Sequence, residues 1–251
     1  MTHSQSALYH PRVGIIVQVR FGSTRLPGKA LLPLPLGRPA TVLGQVLARA
    51  RRAWPGAVVL VATSTAPADD AVATAAQRAG AAVFRGDEQD VLGRFAGAAA
   101  AHALDVVVRL TGDNPALDPA FLAQAVRHHL ATGADYTHTT GLPLGCNLEV
   151  IDASALARTA AEASASAERE HVTPYLRRHP TQFRLETLAL AVPGLPAATR
   201  LTLDYPSDYA LLHLLYSQLP SDFGLTQVAE LLARHPWLAA INATNEQVIP
   251  S

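Results

Sequence analysis

Apolar positions along the chain alternate between two periodicities. Val13–Val19 is a continuous apolar run rich in β-branched residues, the pattern of a strand buried on both faces. Thr41–Ala53 instead groups Val42, Val46 and Arg49 on one set of helical positions and Leu43, Leu47 and Ala50 on another, leaving Arg51 and Arg52 outside. Ala57–Ala62 reads as the next strand, and Ala68–Ala79 as a helix stopped by Gly80. Ala82–Phe84 is a short strand, Asp87–His102 a helix and Asp105–Leu110 a strand. Asp118 then caps a helix running to Thr132, with Gly133 at its end. Strand and helix in such regular succession predict parallel strands in an α/β layer fold.

The succession becomes irregular after about Gly133. Ala134–His138, Asn147–Ile151, Phe183–Leu190 and Arg200–Leu203 are strand candidates, and Ala153–Ala163, Glu168–Arg178, Pro206–Gln218 and Leu225–His235 are helix candidates. Val192–Ala198 is a Pro/Gly-containing loop. The expected organisation is one domain over 13–240, with 134–198 an irregular subregion and tails at 1–12 and 241–251.

Composition narrows the class. With 251 residues, 49% of them hydrophobic and 16% charged, the chain has the makings of a large core. Lys+Arg and Asp+Glu are both 20, for a formal net charge of +0, which argues against nucleic acid or an anionic membrane as partner. Cys146 is the sole cysteine, so neither an intramolecular disulfide nor a cysteine–zinc cluster can form, and a reducing, cytoplasmic setting is expected. No apolar run is long enough to span a bilayer, and Met1–Pro11 lacks the pattern of a signal peptide. His128, His129 and His179 show no metal-ligand spacing and read as surface residues; Cys146 reads as a spectator thiol.

Open parallel sheets bind ligands at the carboxyl ends of their strands. Directly after the first strand comes Arg20-Phe21-Gly22-Ser23-Thr24-Arg25-Leu26-Pro27-Gly28-Lys29. Arginine forks and a lysine point charge match phosphate oxygens, and glycines let the backbone approach an anion closely. Arg20, Arg25 and Lys29 are therefore candidate phosphate ligands, with Gly22 and Ser23 beside them. The segment fits neither a Walker loop nor a dinucleotide fingerprint. Thr111-Gly112-Asp113-Asn114-Pro115 follows the Asp105–Leu110 strand, which places Asp113 at another carboxyl end, facing the basic loop. One or two carboxylates plus phosphate oxygens and water suffice for Mg²⁺.

The basic loop resembles the R-x-x-S-x-R-x-x-x-K signature of the CMP–sugar-acid synthetases, the cytidylyltransferases of ulosonic and sialic acids. It is more similar still to their SpsF-type relatives from spore-coat and surface-polysaccharide pathways, which carry S-T-R-L-P-G-K. Further similar segments follow in family order: Val61–Ser64, Arg85-Gly86, Asp90–Phe95, Arg109–Pro115, Glu168–Pro174 and Leu203–Asp208. The resemblance implies a Rossmann-like, GT-A-like nucleotide-diphospho-sugar transferase fold with a mostly parallel sheet. It implies that Asp113 and Asp204 hold Mg²⁺, with Mn²⁺ able to substitute. It assigns Thr63, Ser64, Arg85, Asp90 and Arg94 to the nucleotide, Glu149, Glu170 and His171 to the acceptor, and Arg109 to substrate binding; Asp90 and Arg94, four residues apart on one helical face, equally fit a surface ion pair. It also implies a homodimer, with 134–198 the subregion for acceptor binding or dimerisation.

The expected chemistry is nucleotidyl transfer. An acceptor oxygen attacks the α-phosphorus of CTP and pyrophosphate leaves, with positioning and charge neutralisation doing most of the catalysis. The choice of CTP comes from the resemblance, since the residue types alone do not separate cytosine from uracil. Two alternatives stand beside it: another nucleoside triphosphate or a phosphonate or phosphorylated acceptor on the same fold, and a nucleotide-binding relative without turnover.

Overall fold

The structure, a computed structural model, describes residues 10–23 and 25–247. Thr24 of the basic loop and the outermost parts of both expected tails lie outside the described residues. Among these residues seven strands form one sheet: β1 (Val13–Gln18), β2 (Val58–Ser64), β3 (Ala82–Gly86), β4 (Val106–Thr111), β5 (Tyr136–Thr140), β6 (Glu149–Asp152) and β7 (Leu185–Ala189). Their spatial order is β3-β2-β1-β4-β6-β5-β7. The first four are mutually parallel, β5 pairs parallel with β7, and β6 runs antiparallel to both β4 and β5. The sheet is thus mostly parallel, and one reversed strand marks where the regular succession stops.

Helices cover both faces. α1 (Val42–Ala53), α2 (Asp70–Arg78) and α4 (Pro119–Thr132) lie on one side; α3 (Val91–Ala101) and α5 (Ala153–Glu162) lie on the other. Strand alternation divides the core accordingly. Ile15 and Val17 meet Leu43, Leu47 and Val126, while Ile16 and Leu60 meet Leu92, Phe95 and Leu156. Thr41 caps α1 by accepting from Gly44 N at 3.0 Å, and Asp118 caps α4 by accepting from Ala120 N at 2.8 Å. A third apolar cluster joins Leu34 and Val42 to α8 (Pro206–Gln218) and α9 (Leu225–Arg234). Arg49 pins that layer to α1: fully buried, it donates to Tyr216 Oη at 2.9 Å and Phe223 O at 2.8 Å, with its guanidinium 3.9 Å from the Phe223 ring centroid. No described helix is long and apolar enough to cross a membrane.

Four expectations need correction. Glu168–Arg178 is two short helices, α6 (Ser166–His171) and α7 (Pro174–Arg178), because Val172 adopts φ 70° and Pro174 restarts the chain. Arg200–Leu203 forms no ladder; it makes an isolated bridge to Leu144 and sends Leu203 N to Asp113 O at 2.9 Å. His129 is buried, not superficial, with Nδ1 2.9 Å from Thr137 Oγ1, and burial pushes its pKa down to about 4. The stretch from 241, expected as tail, follows α10 (Trp237–Ala240) and packs against the body: Asn242 is buried and donates to Arg200 O at 3.0 Å and Asp208 Oδ1 at 2.8 Å.

Candidate functional site

The carboxyl ends of β1 and β4 lie side by side, and the two candidate loops leave from them. Gly112 N donates back to Gln18 O at 2.9 Å, tying the β4 loop to β1. Phe21 N donates to Asp69 Oδ1 at 2.6 Å, and Gly28 N to Phe21 O at 3.2 Å, so the basic loop turns back on itself. Gly28 sits at φ 69°, in the left-handed region that lacks a steric cost only for glycine, and Lys29 opens a 3₁₀ turn immediately after it. That turn aims Lys29 inward.

Lys29 Nζ lies 2.7 Å from Asp113 Oδ2, 2.9 Å from Asp204 Oδ1 and 2.7 Å from Leu203 O. Arg25 reaches the same Asp204 Oδ1 at 2.8 Å, and its guanidinium lies 5.0 Å from the Tyr205 ring centroid. Burial opposes the Lys29 charge, but Asp113 and Asp204 outweigh it and hold the ammonium above its ordinary pKa. Burial likewise pushes the Asp204 carboxyl up, and Lys29 and Arg25 more than reverse this, leaving it below the usual carboxylate range. Both aspartates are held from behind. Thr111 Oγ1 donates to Asp113 Oδ1 at 2.7 Å, and Arg200 Nη2 donates to Asp204 Oδ2 at 2.8 Å.

A cavity of about 430 Å³ opens over this cluster. Arg20, Gly22, Ser23, Arg25, Lys29 and Asp113 line it, together with Gln18, Thr111 and Glu170. Arg20 is exposed, with only a 3.5 Å approach to Glu88 Oε1. Glu170 comes from α6, which Arg169 clamps in place through Asp90 Oδ2 at 2.5 Å and Ala163 O at 3.0 Å. His171 ends the same helix half-buried and does not line the cavity.

Other residues expected to bind substrate are engaged within the protein. Thr63 and Ser64 are buried at the end of β2, where Ser64 N and Oγ donate to Asp69 Oδ2 at 3.0 and 2.5 Å. Arg85 donates to Ser64 O at 2.8 Å and Ala66 O at 3.0 Å and pairs with Asp70. Asp90 caps α3 by accepting from Gly93 N at 2.7 Å. Arg94 does not pair with it: buried at 1% exposure, Arg94 donates to Glu88 O at 2.9 Å and to Asp87 O. Arg109 pairs with Glu149 and reaches Gln18 Oε1 at 3.2 Å, while Glu149 also accepts from Tyr136 and, at 2.8 Å, from Thr173. Burial raises the Glu149 carboxyl, but Arg109 and these hydroxyls hold it below the usual range.

Sequence reasoning missed Arg200. Arg200 Nε donates to Asp208 Oδ1 at 2.9 Å, so Arg200, Asp204 and Asp208 form one buried network. Their regular spacing of four was visible in the sequence, although the segment is not helical until Pro206.

Two carboxylate oxygens, from Asp113 and Asp204, converge on a single cation, Lys29 Nζ. Such a hard-oxygen pair fits a divalent ion that takes its remaining ligands from phosphate and water. Among the described residues no cluster of three or more His, Cys, Asp or Glu side chains could hold an ion without those additional ligands.

Comparison with known proteins identifies the family. The cytidylyltransferase profile matches residues 14–222. The spore coat polysaccharide biosynthesis protein SpsF of Bacillus subtilis is 36% identical over 225 residues, 88% of this chain and 94% of that protein. A cytidylyltransferase from Leptospira borgpetersenii superposes with a TM-score of 0.84 at 28% identity, covering 96% of this chain and all of that one. The CMP:2-keto-3-deoxy-manno-octonic acid synthetase, solved in complex with CTP, shares the fold at a TM-score of 0.63 and 18% identity, over 82% of this chain and 99% of its own. The sheet order, the paired strand-end loops and these likenesses lead to one conclusion: the chain belongs to the cytidylyltransferase family, as an SpsF-like nucleotidyltransferase.

Proposed function

We propose that the protein transfers CMP from CTP to a sugar-acid-like acceptor with release of pyrophosphate, for polysaccharide biosynthesis. The observation that carries this reading is the convergence of Arg25, Lys29, Asp113 and Asp204 at the carboxyl ends of neighbouring parallel strands, under a cavity lined by Arg20 and Ser23. CTP and an ulosonic-acid acceptor come from the synthetase sharing the fold, and the pathway from SpsF.

Arg20, Arg25 and Lys29 supply positive charge to the triphosphate, and Gly22, beside Ser23 at the cavity wall, has no atom within 4 Å of where a Cβ would lie, so phosphate oxygens can approach its backbone. Asp113 and Asp204 would hold a divalent ion, Mg²⁺ with Mn²⁺ able to substitute, which neutralises phosphate-oxygen charge when bound. Manganese accompanies this fold in Rv0371C of Mycobacterium tuberculosis, 19% identical to this chain. The acceptor hydroxyl gives up its proton to solvent as its oxygen bonds to the α-phosphorus, the bond from that phosphorus to the α,β-bridging oxygen breaks, and pyrophosphate leaves with this oxygen toward the cations of the basic loop. Glu170, at the cavity wall, is placed to hold the acceptor. Thr63, Ser64, Arg85, Asp90 and Arg94 act at one remove, by fixing the strand ends and α6 around the nucleotide. A homodimer through 134–198 belongs to the same reading.

Pyrophosphate release measured with each of the four nucleoside triphosphates, against ulosonic-acid and phosphorylated acceptors, tests it. Release with CTP and an ulosonic acid is expected. Preference for another triphosphate, or turnover only with phosphorylated acceptors, would overturn it.

A further inference from the structure

Lysine offers three donors and no acceptor. Lys29 spends all three within the protein, on Asp113 Oδ2, Asp204 Oδ1 and Leu203 O, at 2.7 to 2.9 Å. The side chain expected to hold phosphate is therefore saturated, and it sits between the two carboxylates expected to hold the metal. We propose that Lys29 is an internal stand-in for the divalent ion: it occupies the ion's place in the nucleotide-free protein and gives it up only to an incoming triphosphate. The inference rests on the reading of Asp113 and Asp204 above.

Charge and geometry both support the exchange. Asp113 and Asp204 bring two negative charges, which Lys29 and Arg25 balance. A divalent ion entering beside Lys29 would meet a neutral cluster and an ammonium a few ångströms away, where like charges repel strongly at reduced dielectric. A triphosphate changes the balance, because its oxygens attract Lys29 and also serve as ligands to the ion. The carboxylates need not rearrange when the ammonium leaves. Thr111 fixes Asp113 and Arg200 fixes Asp204 from the side away from Lys29. Lys29 can move, since its side chain is 14% exposed and borders the 430 Å³ cavity. Its four-carbon stem gives the reach to follow the phosphates.

Two consequences follow. Free protein binds the ion weakly, and ion and nucleotide strengthen each other's binding through Lys29. Loss of free Mn²⁺ signal in electron paramagnetic resonance reads this directly, with Mn²⁺ as the probe and no turnover required. For Lys29→Met without nucleotide, affinity for Mn²⁺ at least tenfold above wild type is expected. Adding Asp113→Asn should abolish that gain. The α,β-methylene analogue of CTP should tighten Mn²⁺ binding in wild type by a larger factor than in Lys29→Met. Equal Mn²⁺ affinity of wild type and Lys29→Met, or a gain that survives Asp113→Asn, would overturn the proposal. Lys29→Gln, which removes the charge and keeps a polar side chain of nearly the same length, gives the same comparison if the Met variant folds poorly. A gain in Mn²⁺ binding without CTP-dependent pyrophosphate release would sink the proposed function and leave this inference standing. CTP turnover with no gain would do the reverse.

Discussion

Replacing Asp208 by Asn should cost the protein about a third to a half of an ordinary domain's stability. The carboxylate has no exposed surface and accepts six hydrogen bonds. Two come from Arg200, at 2.9 and 3.2 Å, two from the backbone of Asp204 and Tyr205, at 2.9 and 3.0 Å, and two from Asn242 and Asn245, at 2.8 and 2.9 Å. Asparagine keeps one acceptor oxygen and points an amide at donors that then lack a partner. Arg200, 5% exposed, loses its closest counter-charge apart from Asp204. Breaking a buried pair of this kind costs ~3–5 kcal/mol. At ~2–4 °C per kcal/mol for a chain of this size, Tm should fall by about 10 °C. Arg200→Met in the same background should add less than it does alone, because the two changes remove one interaction. Acid unfolding checks the sign. Burial raises the Asp208 carboxyl, but Arg200 and the surrounding donors hold it below the usual range. Its contribution is therefore complete above the unfolded value of ~3.9 and is lost as pH falls through the lower folded value. Thermal melts from pH 7 to pH 2.5 by circular dichroism measure both effects. A Tm change within about 2 °C at pH 7, or an acid limb unchanged in the variant, would refute the argument.

Three further outcomes follow from the same structure. His129 is buried with its pKa lowered from 6.5 to about 4, so the unfolded chain binds the extra proton between those values and stability falls as pH drops through the interval. At ~1.4 kcal/mol per unit this is about 3 kcal/mol, and His129→Gln should flatten that slope in denaturant titrations at pH 4.5 and 7. Gly145 has φ 92°, and an added Cβ would lie 2.8 Å from Thr202 N and 2.9 Å from Asn114 Oδ1. Gly145→Ala should therefore destabilise by more than ~1 kcal/mol and lower turnover by shifting the β4 loop, both readable on one purified sample. Cys146 is buried, and burial pushes its thiol up to about 12. It should react with an aromatic disulfide reagent only after denaturant is added, so rapid reaction of the folded protein would contradict the packing.

The first half of the fold was legible because its signals are local. β1 reads as an unbroken apolar run, Thr41 and Asp118 are cap residues, and Gly133 ends α4 with φ 62°. The second half depends on tertiary contacts that composition does not show. Nothing in Glu149–Asp152 announces that it reverses direction between β4 and β5. The break between α6 and α7 rests on Val172 at φ 70°, a conformation a β-branched residue takes only when surrounding packing imposes it. Asn242 looks like tail until Arg200 and Asp208 are seen beneath it. At the site, strand-end position correctly brought Lys29 to Asp113. The sequence could not reveal that Arg85 and Arg94 spend their guanidinium donors on backbone carbonyls, because those carbonyls belong to every residue alike.

The claim that nucleotidyl transfer occurs where the β1 and β4 loops meet is tested most directly by single-turnover pyrophosphate release from CTP in wild type and Asp113→Asn. Thr111, Asn114 and Leu203 hold the Asp113 loop independently of its Oδ2, so the variant should fold and still bind CTP. A release rate lowered by about 100-fold or more is expected, with CTP affinity measured without divalent ion within a few-fold of wild type. Release by Asp113→Asn at close to the wild-type rate would contradict it.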